Sequence, residues 1–365
     1  MGSMLSIGLM SGTSLDGIDA ALIETDGIGL VWPMAFRCEQ WSDEARAQLA
    51  EASRQALTFA RPRASPDLVK AGALVDRMHV MAVRKLLVET GVTADRIGVV
   101  GYHGQTVAHR PDRGWTWQVG DGAVLAQSLK ITTVSDFRSN DVAHGGQGAP
   151  LLPVYHRALI ADLEKPVAVL NLGGVGNITW IGEGDAIVAF DTGPANSLID
   201  DWVAQETGGR FDEGGTLAGS GRVDEGTLTA MLDNPFFDEA PPKSLDRSDF
   251  SIQPARGLSA ADGAATLTAF TAETVALALR LLPSRPKRII VAGGGRHNPA
   301  LMAMLSARCN LGVEPVEALG ANGDATEAEG FAYMAVRVLN GQPVSFPGTT
   351  GVAEPMTGGV VHRPL

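Results

Sequence analysis

The chain has 365 residues, 45% of them hydrophobic, with 44 Gly, 20 Pro and a formal net charge of −12. That length exceeds one ordinary core and predicts two domains, and the composition is that of a soluble α/β protein with many tight turns. So acidic a chain argues against nonspecific binding to nucleic acid or an anionic membrane, and an anionic substrate would need a local basic patch.

The start, Met1-Gly2-Ser3-Met4, formally matches a myristoylation pattern through Ser6 but reads as a cloning remnant ahead of a native Met4. Leu5–Met10 is predicted as a strand and Ile18–Glu24 as its partner, a β-hairpin with a polar tip around Ser11–Ser14. A Walker loop would need a Lys and a following helix, and neither is present here. Pro66–Glu89 has helical periodicity. Arg96–Tyr102 reads as a buried strand with His103 at its end, Trp115–Val119 as a strand and Gly122–Leu129 as a helix. Ile131–Ser135 is a strand leading into DFRSNDVAHGGQGAPL, and Pro166–Leu172 is a strongly apolar strand. The turn Asn171–Asn177 follows, with a return strand from Thr179 to Ile181. Ala186–Asp191 reads as a strand ending in DTGPAN, ahead of a helix over Ser197–Thr207. Ala261–Leu282 is a long apolar helix and Arg288–Ala292 a strand closed by Gly293-Gly294-Gly295. Helices over Asn298–Cys309 and Thr326–Asn340 complete the pattern. Cys38 and Cys309 lack zinc or redox spacing, which predicts a reducing, cytoplasmic setting. No run of 18 apolar residues or secretory signal is visible, so no membrane span is expected. The histidines show no metal-site spacing, so no resident metal is expected in the protein.

Three glycine turns, SGTSLDG, GGVGN and GGG, each close an apolar strand. Backbone N–H groups at such turns are good donors to phosphate oxygens, and Thr13 and Ser14 add hydroxyls. A glycine turn also serves purely to reverse the chain. Asp16 either holds Mg²⁺ through water or fixes the turn, and Asp19 reads as structural. Strand, glycine tip and return strand recur in the two halves, which suggests a nucleotide held between domains.

GLMSGTSLDGIDA, GYHGQTVAHRP, DFRSNDVAHGGQGAPLLP, NLGGVGNIT, AFDTGPANSLID and VAGGGRHNPALM occur in this order from Gly8 onward. Together they resemble the anhydro-N-acetylmuramic acid kinase family, and the likeness runs to about Ala335. The resemblance implies an α/β, two-domain actin-like ATPase (ribonuclease H-like) fold with an interdomain cleft. The expected division is 1–130 plus 335–365 for the first domain and 131–334 for the second. It implies ATP as co-substrate with Mg²⁺, and a reaction that opens a 1,6-anhydro sugar with water while phosphorylating O6. It implies ATP contacts at Gly12, Thr13, Ser14, Leu15, Asp16 and Gly17, at Gly173, Gly174 and Asn177, and at Gly293, Gly294 and Gly295. A homodimer is typical of the resemblance.

Asp191 matches the family's catalytic aspartate and would take a proton from the attacking water; alternatively it caps the helix near Ser197. Arg138 is suited to a lactyl carboxylate, or is a local partner for Asp136 or Asp141. His103, Gln105 and Thr106 are candidate sugar contacts, as are Asp136 and Gln147. Glu329 matches an acidic position of the family's C-terminal motif, or lies on a solvated helix face. The chain departs from the family pattern at His144, commonly Ala, and at Ala195, commonly Gly, where a positive φ would strain the backbone. Competing readings are an actin-like or chaperone-like ATPase and a sugar kinase acting on a free hydroxyl. The polar stretch after Ser135 favours a small-molecule site over the first.

Overall fold

The structure, a computed structural model, describes residues 2–245 and 249–365, so Met1 of the N-terminal motif lies outside the described residues. In chain order the strands are β1 (Met4–Ser11), β2 (Gly17–Thr25), β3 (Val31–Gln40), β4 (Ile97–Arg110), β5 (Trp115–Val119), β6 (Thr133–Ser135), β7 (Val167–Leu172), β8 (Val175–Ile181), β9 (Ile187–Pro194), β10 (Arg288–Ala292), β11 (Gly312–Pro315) and β12 (Val360–His362). They form two sheets, one in each of two compact units. The first unit is Met1–Ala161 with Ala325–Leu365; the second is Asp162–Asp324.

The first sheet runs β12-β6-β4-β1-β2-β3, with β5 paired to β4. β1 and β2 form the expected hairpin, from Met4 opposite Thr25 to Met10 opposite Asp19. β4 lies parallel to β1, and Gly8 sits opposite Gly101. This glycine pair opens a groove for helix Thr326–Leu339. A Cβ on Gly8 would lie 1.8 Å from the Ala328 carbonyl oxygen, and one on Gly101 would lie 2.1 Å from that of Phe331. Burying Phe331, Ala332 and Ala335 against the sheet requires that approach. Gly101→Ala is therefore expected to cost about 1–3 kcal/mol, read as a lowered melting temperature. Gly29→Ala, with nothing within 4 Å of its Cβ, is the neutral control.

The division differs from that expected. Residues 131–161 belong to the first unit because β6 pairs with β4 and β12 pairs with β6. Helix Thr326–Leu339 belongs there whole, since it fills the glycine groove. Strand ends differ too. β4 continues well past Tyr102, so His103 stands inside the strand. β9 continues to Pro194, so Asp191 is also internal. β3 and helix Asp43–Leu57 were not anticipated. The helix buries only Ala45, Leu49, Ala52 and Ala56, a stripe at helical spacing too rich in alanine to stand out.

The second sheet runs β11-β10-β7-β8-β9. β7 and β8 pair from Val167 opposite Ile181 to Leu172 opposite Gly176, the second expected hairpin. Helix Ala260–Ala278, with its 3₁₀ extension to Leu281, is long and apolar enough to cross a membrane, but most of it is buried inside the protein. It is a core helix, packed through Phe270, Ala272 and Val275.

Candidate functional site

In the first unit, the β1–β2 tip is shaped by its own backbone. The Leu15 amide donates to the Gly12 carbonyl at 3.2 Å, and Leu15 takes a φ of 57° to reverse the chain. Its side chain packs on the core, leaving Thr13, Ser14 and Asp16 exposed around it. Gly17 is buried because a Cβ there would meet the Glu39 carbonyl oxygen at 2.7 Å. Gln105 belongs to this tip and not to a sugar pocket. Its amide is enclosed, accepting from Ser11 Oγ at 2.6 Å and donating to the Gly12 carbonyl at 3.1 Å. The expected sugar contact at Gln105 is thus corrected: opposite Ser11 in the β1–β4 ladder, it buttresses the hairpin.

A cavity of about 350 Å³ opens in the same unit, lined by Tyr102, His103, Trp117, Gln118, Asp136 and Ser139 among others. Two expected sugar-side residues, His103 and Asp136, meet there. Asp136 holds a φ of 55°, and its carboxylate accepts from the Ser139 amide at 3.3 Å. Trp117 and Gln118 were missed, because β5 reads as an ordinary short strand until it is paired to β4. Thr106 does not line the cavity, and its hydroxyl accepts from Gln118 Nε2 at 3.2 Å.

Beside the cavity, His103 Nδ1 is 2.8 Å from the Gly104 carbonyl oxygen, so Nδ1 carries the proton and donates. Nε2 is then an acceptor, and Arg138 Nε donates to it at 3.0 Å. Burial and the neighbouring Arg138 charge hold His103 well below the usual imidazole range. Arg138 Nη1 donates to the Gly148 carbonyl at 2.7 Å. No carboxylate among the described residues pairs with Arg138, and burial pulls its guanidinium down to about 10. The suggested local partners spend their hydrogen bonds elsewhere, although the Asp141 charge still acts on Arg138. Asp136 caps the following turn, and Asp141 accepts from the Gly148 amide at 2.6 Å and the Thr350 hydroxyl at 2.5 Å. The Gln147 amide donates to the Thr350 carbonyl, which fixes the same loop.

Glu329 is not at this cluster. It is 2% exposed and accepts from the Tyr155 hydroxyl within the core, and burial raises its carboxyl. This corrects both readings of Glu329, substrate contact and solvated face. Glu327, missed in the sequence, is the helix carboxylate that interacts electrostatically with Arg138. His144 is exposed and turns its Nδ1 to the Asn140 carbonyl at 2.7 Å.

In the second unit, Asn171, Asn177 and Asp191 lie opposite one another across β7, β8 and β9. Directly paired residues share a sheet face, so the three form a polar row. A bulge between Gly176 and Asn177 sets this register. Asn177 is thus beside Asp191, away from the hairpin tip, and Asn171 is a neighbour that sequence reasoning did not single out. Asp191 Oδ2 accepts from the Leu245 amide at 2.8 Å, and burial raises its carboxyl to about 7. Asp191 is not a helix cap, since Ala195 holds that position with a φ of −116°. Alanine there carries no left-handed strain.

The tip carbonyls of Gly173 and Gly174 accept from the amides of Ala195, Asn196 and Ser197 at 2.9–3.2 Å. They tie the hairpin to the start of helix Asn196–Thr207. Gly293 follows β10 with a φ of 78°, where a Cβ would meet Asn171 Oδ1 at 2.6 Å. Gly295 packs as tightly against Leu172. Gly294 lines a cavity of about 310 Å³ with Asn196, Ile199, Phe211, Asp212 and His297. Arg296, buried behind it, donates to Gly293 O, Glu317 and Asp324 and fixes the turn.

The family model described as Anhydro-N-acetylmuramic acid kinase matches residues 4–364. The chain is 67% identical over 365 residues to the anhydro-N-acetylmuramic acid kinase of Rhizorhabdus wittichii, covering 100% of both chains. It is 56% identical to that of Zymomonas mobilis subsp. mobilis, covering 98% of this chain and 100% of the relative. Among solved structures, component A of (R)-2-hydroxyglutaryl-CoA dehydratase from Acidaminococcus fermentans superposes with a TM-score of 0.50 at 11% identity. That match covers 92% of this chain and 98% of the other, and it shows an actin-like ATPase fold.

Proposed function

Since the chain belongs to the anhydro-N-acetylmuramic acid kinase family, we propose how its residues divide the reaction. The activity is that of an ATP-dependent kinase that opens 1,6-anhydro-N-acetylmuramic acid with water and phosphorylates O6. The single observation that carries the assignment of the base is Asp191, whose burial places its carboxyl near neutrality. Such a group holds a proton well enough to accept one from water and loses it readily at working pH.

Water attacks the anomeric carbon as Asp191 takes its proton. The bond from that carbon to O6 breaks, and O6 attacks the γ-phosphorus while ADP leaves. One bond to oxygen forms and one breaks at each centre, and water's second proton stays on the new anomeric hydroxyl. Each tip offers phosphate donors of its own, the exposed Thr13 and Ser14 in the first unit and the Gly173–Gly174 backbone in the second. The cavity beside Gly294 suits the nucleoside end, with the apolar Ile199 and Phe211 for a base. The cavity beside His103 and Asp136 suits one amino-sugar ring.

Mg²⁺ would shield the phosphate charge, bound to ATP with Asp16 as its protein-side carboxylate. Such an ion keeps water and phosphate ligands and needs no protein cage. The exposed Asp16 carboxylate, beside the Thr13 and Ser14 hydroxyls of the tip, is a donor of that kind. A nucleotide substrate together with two cysteines that form no disulfide supports a reducing, cytoplasmic setting.

The test is turnover in ¹⁸O-water with rapid quenching and mass analysis. Label at the anomeric oxygen and none in the phosphate is expected. An unlabelled anomeric oxygen would overturn water attack in favour of a plain hydroxyl-phosphorylating kinase.

A further inference from the structure

We propose that His103 is a positioning residue that acts through Arg138, aiming the guanidinium at the carboxylate of the sugar substrate. This rests on the reading that Arg138 receives that carboxylate. His103 lines the sugar-sized cavity, yet both of its ring nitrogens are spent inside the protein. Nδ1–H is held by the Gly104 carbonyl, where Gly104 takes a φ of 74° that places this carbonyl. That bond fixes the tautomer and leaves Nε2 only as an acceptor. Among the described residues, the one hydrogen it receives is the Nε–H of Arg138. His103 therefore has no polar atom left for a sugar hydroxyl, contrary to the sequence expectation of a direct contact.

Arg138 is the complement. Two neutral acceptors, His103 Nε2 and the Gly148 carbonyl, hold Nε and Nη1. Nη2 makes no hydrogen bond to a described residue, and no described carboxylate comes within ion-pair distance, although Glu327 and Asp141 act on the charge from further away. A buried cation that no carboxylate contacts directly is only partly compensated, and an arriving carboxylate relieves the remaining cost. Neutral acceptors on one edge orient the guanidinium without consuming its charge, which leaves the Nη2 edge for a carboxylate. A carboxylate in place of His103 would pair with Arg138 and cancel that preference. The His103 ring is itself clamped against Phe331, with centroids 4.7 Å apart.

The test compares His103→Gln, His103→Asn and His103→Phe with the parent enzyme. The readouts are KM for 1,6-anhydro-N-acetylmuramic acid, KM for ATP, kcat and a thermal melt. Gln places an acceptor near the position of Nε2, whereas Asn reaches only as far as Nδ1. Gln should stay within about threefold of the parent, and Asn and Phe should raise the sugar KM by about tenfold to a hundredfold, with ATP KM and kcat nearly unchanged. The effect should vanish for 1,6-anhydro-N-acetylglucosamine, which lacks the lactyl carboxylate. Equal losses with both sugars, or equal behaviour of Gln and Phe, would overturn the inference. Arg138→Ala separates the two levels. If it fails to discriminate between the sugars, the carboxylate reading itself falls. If it discriminates and His103→Phe does not, only the positioning role falls.

Discussion

Asp191→Asn is expected to abolish most turnover while making the protein more stable at pH 8. The activity loss follows from proton transfer. Asn keeps the shape and can still accept from the Leu245 amide through its oxygen, but it cannot take a proton from water. A positioned base contributes roughly 10²–10⁴-fold, so kcat should fall by about that factor. Both substrates should bind with near-parent affinity, since ground-state contacts survive. Bridge opening and phosphorylation should fall together, because O6 becomes a nucleophile only as its bond to the anomeric carbon breaks. The parent rate should rise with pH up to about 7, as burial raises the Asp191 carboxyl to that value. The stability gain has the same origin. The folded value lies above the ordinary aspartate value of 3.8, so the native state binds more protons between about pH 4 and 7. Native stability therefore falls as pH rises through that window, by an amount on the order of a few kcal/mol. The Asn variant carries no such cost. Its melting temperature should exceed the parent's at pH 8, and the gap should close toward pH 4. Superimposable melts at pH 8 would show that Asp191 ionises at no cost, and near-parent turnover would place the base elsewhere.

Arg138→Ala is expected to weaken binding of the lactyl-bearing sugar while leaving ATP affinity close to the parent's. Losing a buried charged hydrogen bond to a ligand costs about 2–5 kcal/mol, which is at least tenfold in affinity. Part of that cost could instead reflect the acceptors left behind, His103 Nε2 and the Gly148 carbonyl. The sugar without a lactyl group resolves this. If its binding is unaffected, the guanidinium recognises the carboxylate. If both sugars lose equally, Arg138 holds the 136–148 loop in place. Arg138→Lys should resemble Ala more than the parent, because an ammonium cannot meet two fixed acceptors and a carboxylate in one plane.

The hairpins were legible because apolar alternation flanks glycine tips in both halves. The end of a strand was not. Asp191 reads as terminal because Thr192-Gly193-Pro194 looks like a turn, yet a bulge that leaves Thr192 out of the ladder keeps Gly193 and Pro194 paired with Gly176 and Val175. Gln105 and Glu329 failed for a different reason. A sequence shows which residues are polar but not which neighbour satisfies them. Ser11 reaches Gln105 only through β1–β4 pairing across most of a hundred intervening residues. Tyr155 meets Glu329 only because two distant helices pack in the same unit. The rotation of helix Thr326–Leu339 then decides that Glu327, two residues earlier, interacts with Arg138 instead. Asp191 was singled out by its match to the family's catalytic aspartate and Arg138 by the needs of a carboxylate, and their local partners came only from the structure.

The glycine groove over β1 and β4 has a consequence for synthesis on the ribosome. Its occupant, helix Thr326–Leu339, is translated only after the entire second unit. The second unit is one uninterrupted stretch of chain and can bury its own core as soon as it emerges. The first six strands, made earlier, must wait with one sheet face uncovered. During that interval Gly8 and Gly101 leave exposed the backbone that the late helix will cover. The order of maturation is thus the reverse of the order of translation: the unit that starts first finishes last. A nascent chain stalled before Thr326 should carry a protease-resistant second unit and a protease-sensitive N-terminal sheet.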